Sequence, residues 1–437
     1  MAKKACVIFA RGCSRSQIDL VRIRSYFEAN SWTITQDVRE ADLVVVSACA
    51  FTAHEQKTSE AYVELVAGDK PESAALVVVG CLAGIDPGAA DRLQGLALKV
   101  DRLAELDRLI DATVPLETIP DQNLVQARLE EARRSLTRRS RLKATLADRG
   151  EIPLQVLLAL RHWARLDPKS PEAEWGEPFH IRVARGCASE CSYCAIRIGA
   201  GPIRSKPLAD VLDEFRSGLS SGHRLFSLVA EDVGAYGQDV GLSVVDLLKP
   251  LLEQPGDFLV TWSDFGPRWL IEERRDLQRL LTLHRDKLGT IGFPIQSGSE
   301  RMLELMKRGY TAAAGKSCLL ALRRAAPEVR IATHVILGFP SETRRDFLDT
   351  CAFVQSVGFA RVMPFTYSER PGTEAAQLPG QLSSITKAMR TWEFRARLRL
   401  PRSGGGSVTQ EPDLEPTLSA GSTLDAGQDR GDRDAPA

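Results

Sequence analysis

From residue 179 onward, six strand-like runs recur every 30 to 45 residues: Ile181–Ala184, Phe226–Ala230, Phe258–Trp262, Thr290–Pro294, Arg330–Phe339 and Arg361–Tyr367. Helical patterns fill the gaps between them. Repeated βα units at this spacing build a parallel barrel or part of one, with the active site at the carboxyl ends of the strands. Eight units would close a full barrel. Six predict a partial (βα)6 barrel over residues 179–400.

The first hundred residues also alternate. Val7–Ala10, Leu43–Val46 and Leu76–Val79 are short runs rich in β-branched residues, and Leu20, Ile23 and Phe27 share one face of a helix between them. Such alternation implies a parallel sheet with helices packed on it, so residues 1–118 are expected to form an N-terminal α/β domain. No Gly-x-Gly-x-x-Gly follows the first strand, which removes support for dinucleotide binding. Residues 119–178 differ in character. Leu124 to Leu146 reads as a helix in a segment with eight basic residues from Arg128 to Arg149 against three acidic ones, followed by Pro168 and Pro171. This segment is expected to be a helical basic linker or insert. Residues 401–437 are dominated by Gly, Ser, Pro, Asp and Thr and predict a disordered tail. The whole is an α/β chain.

Lysine plus arginine equals aspartate plus glutamate at 57 each, which argues against a protein that coats a polyanion wholesale. No apolar run approaches the roughly 20 residues that span a bilayer, and Val7–Ala10 is too short for a signal peptide. A cytoplasmic location without membrane attachment is expected. In a reducing compartment, nine cysteines argue for metal or catalytic roles before disulfides.

Cys187, Cys191 and Cys194 stand in a C-x-x-x-C-x-x-C run just after the Ile181–Ala184 strand. Thiolates are soft ligands, and three on one tight loop can hold three irons of a four-iron cluster while the fourth iron stays open to substrate. Structural zinc wants four ligands, and no fourth cysteine or histidine stands at knuckle spacing. A second constellation is subtler. Cys13, Cys49 and Cys81 each follow a strand run of the first sheet by two or three residues. Loops at the carboxyl ends of one parallel sheet converge on a shared crevice, so three thiolates far apart in sequence can meet there. Each alone could equally be a small core residue. Cys6, Cys318 and Cys351 have no partner motif and read as core, as does His334 on a barrel strand.

With those flanks, the chain resembles the radical S-adenosylmethionine (SAM) superfamily, and within it the methylthiotransferases that modify a tRNA adenosine or an aspartate of a ribosomal protein. The matching stretches are Gly12-Cys13, Ser47 to Phe51, Gly80-Cys81-Leu82 and Arg185 through Cys194. Further matches are Glu231 to Gly237, Pro294 to Ser299, Met306-Lys307-Arg308 with Tyr310-Thr311, Gly338 to Thr343, and Tyr367 to Thr373.

The resemblance implies two [4Fe-4S] clusters and SAM as cofactors. Cys187, Cys191 and Cys194 would hold the cluster that cleaves SAM; Cys13, Cys49 and Cys81 would hold an auxiliary cluster carrying the sulfur to be transferred. Tyr193 is expected to contact the adenine of SAM, with Ser297 and Gly338, at the Ile336–Phe339 strand end, as further SAM contacts. A low-potential electron donor and a sulfur source are implied partners. Family members usually end in a small β-barrel that grips RNA or protein. Here the text after Thr373 predicts one helix from Ile385 to about Leu400 and then the tail. The expected acceptor is therefore a peptide, a protein side chain or a biosynthetic intermediate, with a tRNA adenosine as the alternative and the basic segment as its possible grip. Ser16 stands where the family commonly has asparagine, and Glu231 where it often has glutamine. Sulfur insertion without methylation and a non-catalytic cluster-bearing protein are the remaining readings.

Overall fold

The computed structural model describes residues 2–10, 12–93, 95–125 and 171–398. The expected tail, and all but the first two residues of the expected basic helix, lie outside the described residues.

The N-terminal residues fold as β1 (Lys4–Phe9), α1 (Ser14–Ala29), β2 (Thr33–Ile34), β3 (Leu43–Ser47), α2 (Ala53–Asp69), β4 (Ala75–Val79), α3 (Cys81–Ile85), α4 (Pro87–Arg92), β5 (Leu96–Leu98) and α5 (Leu106–Ile110). The centre of the sheet is a set of valines. Val44, Val45 and Val46 on β3 and Val77 and Val78 on β4 are fully buried, because helices cover both faces. Burying each such side chain contributes about 1.5–3 kcal/mol. All pairings are parallel, in the order β2-β1-β3-β4-β5. The strand order reverses between β1 and β3. In an open α/β sheet this switch point leaves a crevice at the carboxyl ends, where ligands bind.

The second sheet has the six strands that the spacing predicts: β6 (Phe179–Arg182), then, after the short antiparallel pair β7 (Ala184–Arg185) and β8 (Arg204–Ser205), β9 (Leu225–Val229), β10 (Leu259–Trp262), β11 (Leu288–Gly292), β12 (Ile331–Leu337) and β13 (Arg361–Thr366). They are all parallel, in the order β6-β9-β10-β11-β12-β13. The connecting helices include α6 (Ile196–Ala200), α7 (Leu208–Ser220), α8 (Val244–Leu252), α9 (Pro267–Glu272), α10 (Arg274–Leu283), α11 (Glu300–Leu305), α12 (Ala312–Ala325) and α13 (Arg344–Val357), and the described chain ends in α14 (Ser384–Arg397). Their apolar faces and the strands form one continuous core around Phe226, Phe258, Leu281 and Ile291. Among the described residues no helix is long and apolar enough to cross a membrane.

The six strands leave β6 and β13 as the two edges of the partial barrel, and the N-terminal unit touches both sides. Beside β6, Arg182 Nη1 donates to Asp19 Oδ1 of α1 at 2.7 Å, and Ile18 and Val21 pack on Val229. Beside β13, Phe51 meets Phe365 edge-on at 5.7 Å, and the backbone N–H of Ala53 donates to Ser368 Oγ at 2.9 Å. Carboxyl ends of both sheets therefore face one another.

Candidate functional site

Chain geometry fixes the loop after β7. Gly186, at φ +73°, turns the chain so closely past Pro202 that a side chain there would meet its carbonyl. That turn presents Cys187. Its sulfur accepts from the Ser189 N–H at 3.4 Å. The rest of the loop is tied to the segment around α11: Ser192 N–H donates to the Met306 carbonyl at 3.1 Å, and Ser192 Oγ to that of Leu305 at 2.7 Å. Cys187, Cys191 and Cys194 all line one cavity. Burial pushes the Cys187 thiol up to about 12 and that of Cys194 up to about 11. Unaided, both would stay protonated at neutral pH. Thiolate ligation therefore depends on positive charge brought by iron.

On the other sheet, Cys13 is the residue before α1, Cys49 follows β3, and Cys81 opens α3 after β4. The first two flank the switch point and the third is on the neighbouring strand. Cys81 lies within electrostatic range of both Cys49 and Cys13, and also of Arg15 and Glu231. Burial raises its thiol well above the usual value. None of the three is in a disulfide, and each is partly accessible. Cys6, Cys318 and Cys351 are buried cysteines of the core, as their sequence context predicts.

The two loops come together through a glycine pair. A methyl on Gly84 of α3 would stand 2.5 Å from the Cα of Gly199 on α6, and one on Gly199 would stand 3.3 Å from the Cys81 carbonyl. The helix begun by Cys81 thus lies directly on the helix that follows Cys194.

Charged side chains close the remaining walls. Arg15, two residues after Cys13, reaches across: Nη1 donates to the Ala230 carbonyl at 2.7 Å and lies 3.4 Å from Asp264, and Nε is 3.6 Å from Glu231. Asp232 is fully committed to the fold, accepting from Gly234 N–H, Gly266 N–H and Trp269 Nε1. Glu231 Oε2, Gln296 Oε1, Arg308 Nε and Arg370 Nε are buried polar atoms of cavity residues that find no partner among the described residues. Unmet buried groups of both signs suit a polar ligand carrying donors and acceptors. Gln296 also holds φ at +67°, a backbone strain of about 1–3 kcal/mol of the kind that collects at binding sites.

Of the expected SAM contacts, Tyr193 lines the cavity. Ser297 and Gly338 are not among the lining residues: Ser297 Oγ is paired with Thr350 Oγ1 at 3.0 Å, and Gly338, with its N–H on Glu342 Oε2, lies against Lys387. Ile336, at the same strand end, does line it. His334, expected as a core residue, is buried but reaches the cavity, edge-on to Phe365 at 5.4 Å. Strand β12 is covered on both faces, so alternation could not show which side was the cavity. Sequence reading also passed over Arg15 and Asp264, and took Arg370 only as part of the stretch from Tyr367 to Thr373.

Among the described residues no group of three His, Cys, Asp or Glu side chains is placed to hold a metal ion. A four-iron cube is far wider than one ion and is gripped at separate corners. Three soft thiols around a cavity, with no disulfide between them, fit that group.

Comparison with known proteins points to the same chemistry. Residues 181–354 match the Radical SAM superfamily, and residues 5–101 match a family described as Uncharacterized protein family UPF0004. A tRNA-2-methylthio-N(6)-dimethylallyladenosine synthase of Chloroflexus aurantiacus is 33% identical over 216 residues, covering 48% of this chain and 46% of that protein. A ribosomal protein uS12 methylthiotransferase RimO of Moorella thermoacetica is 27% identical over 404 residues, covering 88% of this chain and 81% of that one. Over most of its length the chain is similar to radical SAM methylthiotransferases. The enzyme class these relatives share is transfer of an alkylthio group, with SAM and [4Fe-4S] clusters as cofactors. Among solved structures, the radical SAM methyltransferase TsrM from Kitasatospora setae shares the fold, with a TM-score of 0.56 at 14% identity over 86% of this chain and 77% of that one.

Proposed function

We propose that this chain is a cytoplasmic methylthiotransferase that places a methylthio group on an unactivated C–H of a polypeptide or a tRNA, the two acceptor classes named for its relatives. The observation that carries the reading is the contact of α3 with α6, which sets the helix opened by Cys81 directly on the helix that follows Cys194, beside the cavity that Cys187, Cys191 and Cys194 line. Cys187, Cys191 and Cys194 would hold one cluster and Cys13, Cys49 and Cys81 the other. Bound there, the first would supply the electron that cleaves SAM to a 5′-deoxyadenosyl radical, and the second would carry the sulfur. A radical that reactive cannot diffuse, so the donor and the target carbon must share its cavity.

The chain's own residues then have defined tasks. Phe51, Phe265, Ile336 and Phe365 form apolar wall that excludes water. Glu231 Oε2 and Gln296 Oε1 accept hydrogen bonds from bound SAM or acceptor, and Arg370 Nε donates one. Arg15 keeps the loop of Cys13 against the barrel wall at Ala230. An outside low-potential donor supplies electrons, and an outside sulfur source restores the transferred atom.

The test supplies the reduced, reconstituted protein with SAM labelled in its methyl group, together with tRNA and ribosomes. Mass analysis of nucleosides and of ribosomal proteins should find labelled methylthio in one of them. Sulfur without label in the product would favour insertion without methylation. Deoxyadenosine release with no modified acceptor would leave the proposed acceptor classes wrong.

A further inference from the structure

Arg308 approaches the candidate cluster loop from the far side of the barrel. It follows α11, and its guanidinium makes three contacts across the cavity wall. Nη1 stands 3.1 Å from Cys191 Sγ and 3.1 Å from the Tyr193 hydroxyl, and Nη2 donates to the Pro294 carbonyl at 2.8 Å. The Tyr310 ring lies 5.9 Å beneath the guanidinium, and Tyr310 is itself fixed by donating to the Ile295 carbonyl at 2.7 Å. The neighbouring Ser192 bonds to Met306 and Leu305 hold the same two segments together. An arginine this constrained, with a planar fork and a permanent charge, is a fixed positive dipole source beside one sulfur.

We propose that Arg308 is a positioning residue that sets the reduction potential of the SAM-cleaving cluster and fixes the Tyr193 ring, through its paired contacts to Cys191 Sγ and the Tyr193 hydroxyl. This rests on the reading of Cys191 as a cluster ligand. Reduction adds one electron, and so one negative charge, to a cluster already anionic with its three thiolates. A cation and an N–H donor at a ligand sulfur stabilise the reduced form more than the oxidised one, which raises the potential. The cluster is thereby brought within reach of its donor, while Tyr193 is held at the orientation that SAM meets. Arginine suits this place because its contacts are spread over two nitrogens of a planar fork, Nη1 to the sulfur and the phenol and Nη2 to the carbonyl, where lysine offers a single nitrogen on a flexible stem.

The test uses the full-length chain reconstituted anaerobically with iron and sulfide, as wild type, Arg308→Lys, Arg308→Met and Cys191→Ala. Iron and sulfide per chain are measured first. The midpoint is then read by dithionite titration of the electron paramagnetic resonance signal that changes when SAM is added, and the KM for SAM is read from deoxyadenosine formation. The expected result is wild-type iron content in both Arg308 variants, a midpoint shifted negative in Arg308→Met and less so in Arg308→Lys, and a raised KM for SAM in both. A wild-type midpoint in Arg308→Met at full iron content overturns the proposal. Should Arg308→Met fail to take up iron, Arg308→Lys carries the comparison, and an unshifted midpoint there overturns it equally. The ligand reading fails separately, by a SAM-responsive signal that survives in Cys191→Ala.

Discussion

Arg182, on the first strand of the barrel, donates to the carboxylate of Asp19, on the first helix of the N-terminal sheet, at 2.7 Å, and both side chains are buried. Its second nitrogen donates to the Arg15 carbonyl at 2.6 Å. Arg185 reaches the same Asp19 at 2.8 Å, and Lys206 joins through Asp121 at 3.2 Å. This network fastens the helix that begins beside Cys13 to the strand that leads into Cys187. Two cysteine-bearing loops from separate sheets are thus held in one register by ions shielded from salt.

Removing Arg182 takes from buried Asp19 one of its two cations and leaves Arg185, so the cost approaches the low end of the about 3–5 kcal/mol of a broken buried pair. Arg182→Met should lower the free energy of unfolding in urea by that order. Arg182→Met combined with Asp19→Leu should recover part of the loss. Equal stability of Arg182→Met and wild type would show that the network does not fasten the units.

The glycine contact between α3 and α6 admits no side chain. Gly84→Ala places a methyl against the Gly199 backbone, which must shift to accept it. Overpacking of this kind costs about 1–3 kcal/mol and moves the two cysteine loops apart. Deoxyadenosine formation should persist while transfer of the methylthio group falls, a loss of coupling read by the ratio of the two products. An unchanged ratio would mean that the spacing of the loops has slack.

His180 on β6 is buried, and neither ring nitrogen has a hydrogen-bond partner among the described residues. Burial lowers its pKa from 6.5 to about 4. Unfolded chains therefore bind a proton between those values that the folded chain refuses, so stability is full above about pH 6.5 and is lost as pH falls towards 4. At about 1.4 kcal/mol per pH unit, the loss approaches roughly 3 kcal/mol. His180→Phe should flatten this part of the curve of Tm against pH. A variant that kept the wild-type slope would place its origin in another group.

What the chain discloses before folding follows from how local each signal is. Six barrel strands and three strands of the first sheet are legible because each is a contiguous apolar run. Thr33–Ile34 and Leu96–Leu98 escape notice because two or three residues at a sheet edge carry no period. The cysteines are legible by chemistry and by their place after strands. Arg15 is not, and Arg308 shows only as part of a motif without a role, since each acts on a partner far along the chain: 215 residues separate Arg15 from Ala230, and 117 separate Arg308 from Cys191. Ser297 and Gly338 show the converse. Their motif is visible, yet the Ser297 side chain serves the packing of α13 through Thr350, and Gly338 serves a turn.

The most direct test is iron and sulfide per chain after anaerobic reconstitution, in wild type, in the Cys187, Cys191 and Cys194 triple alanine variant, and in the Cys13, Cys49 and Cys81 triple alanine variant. Two clusters of four irons predict about eight irons in wild type and about four in each variant. About four irons in wild type, lost entirely with Cys187, Cys191 and Cys194 and unchanged without Cys13, Cys49 and Cys81, would contradict the account and leave the enzyme without its sulfur donor.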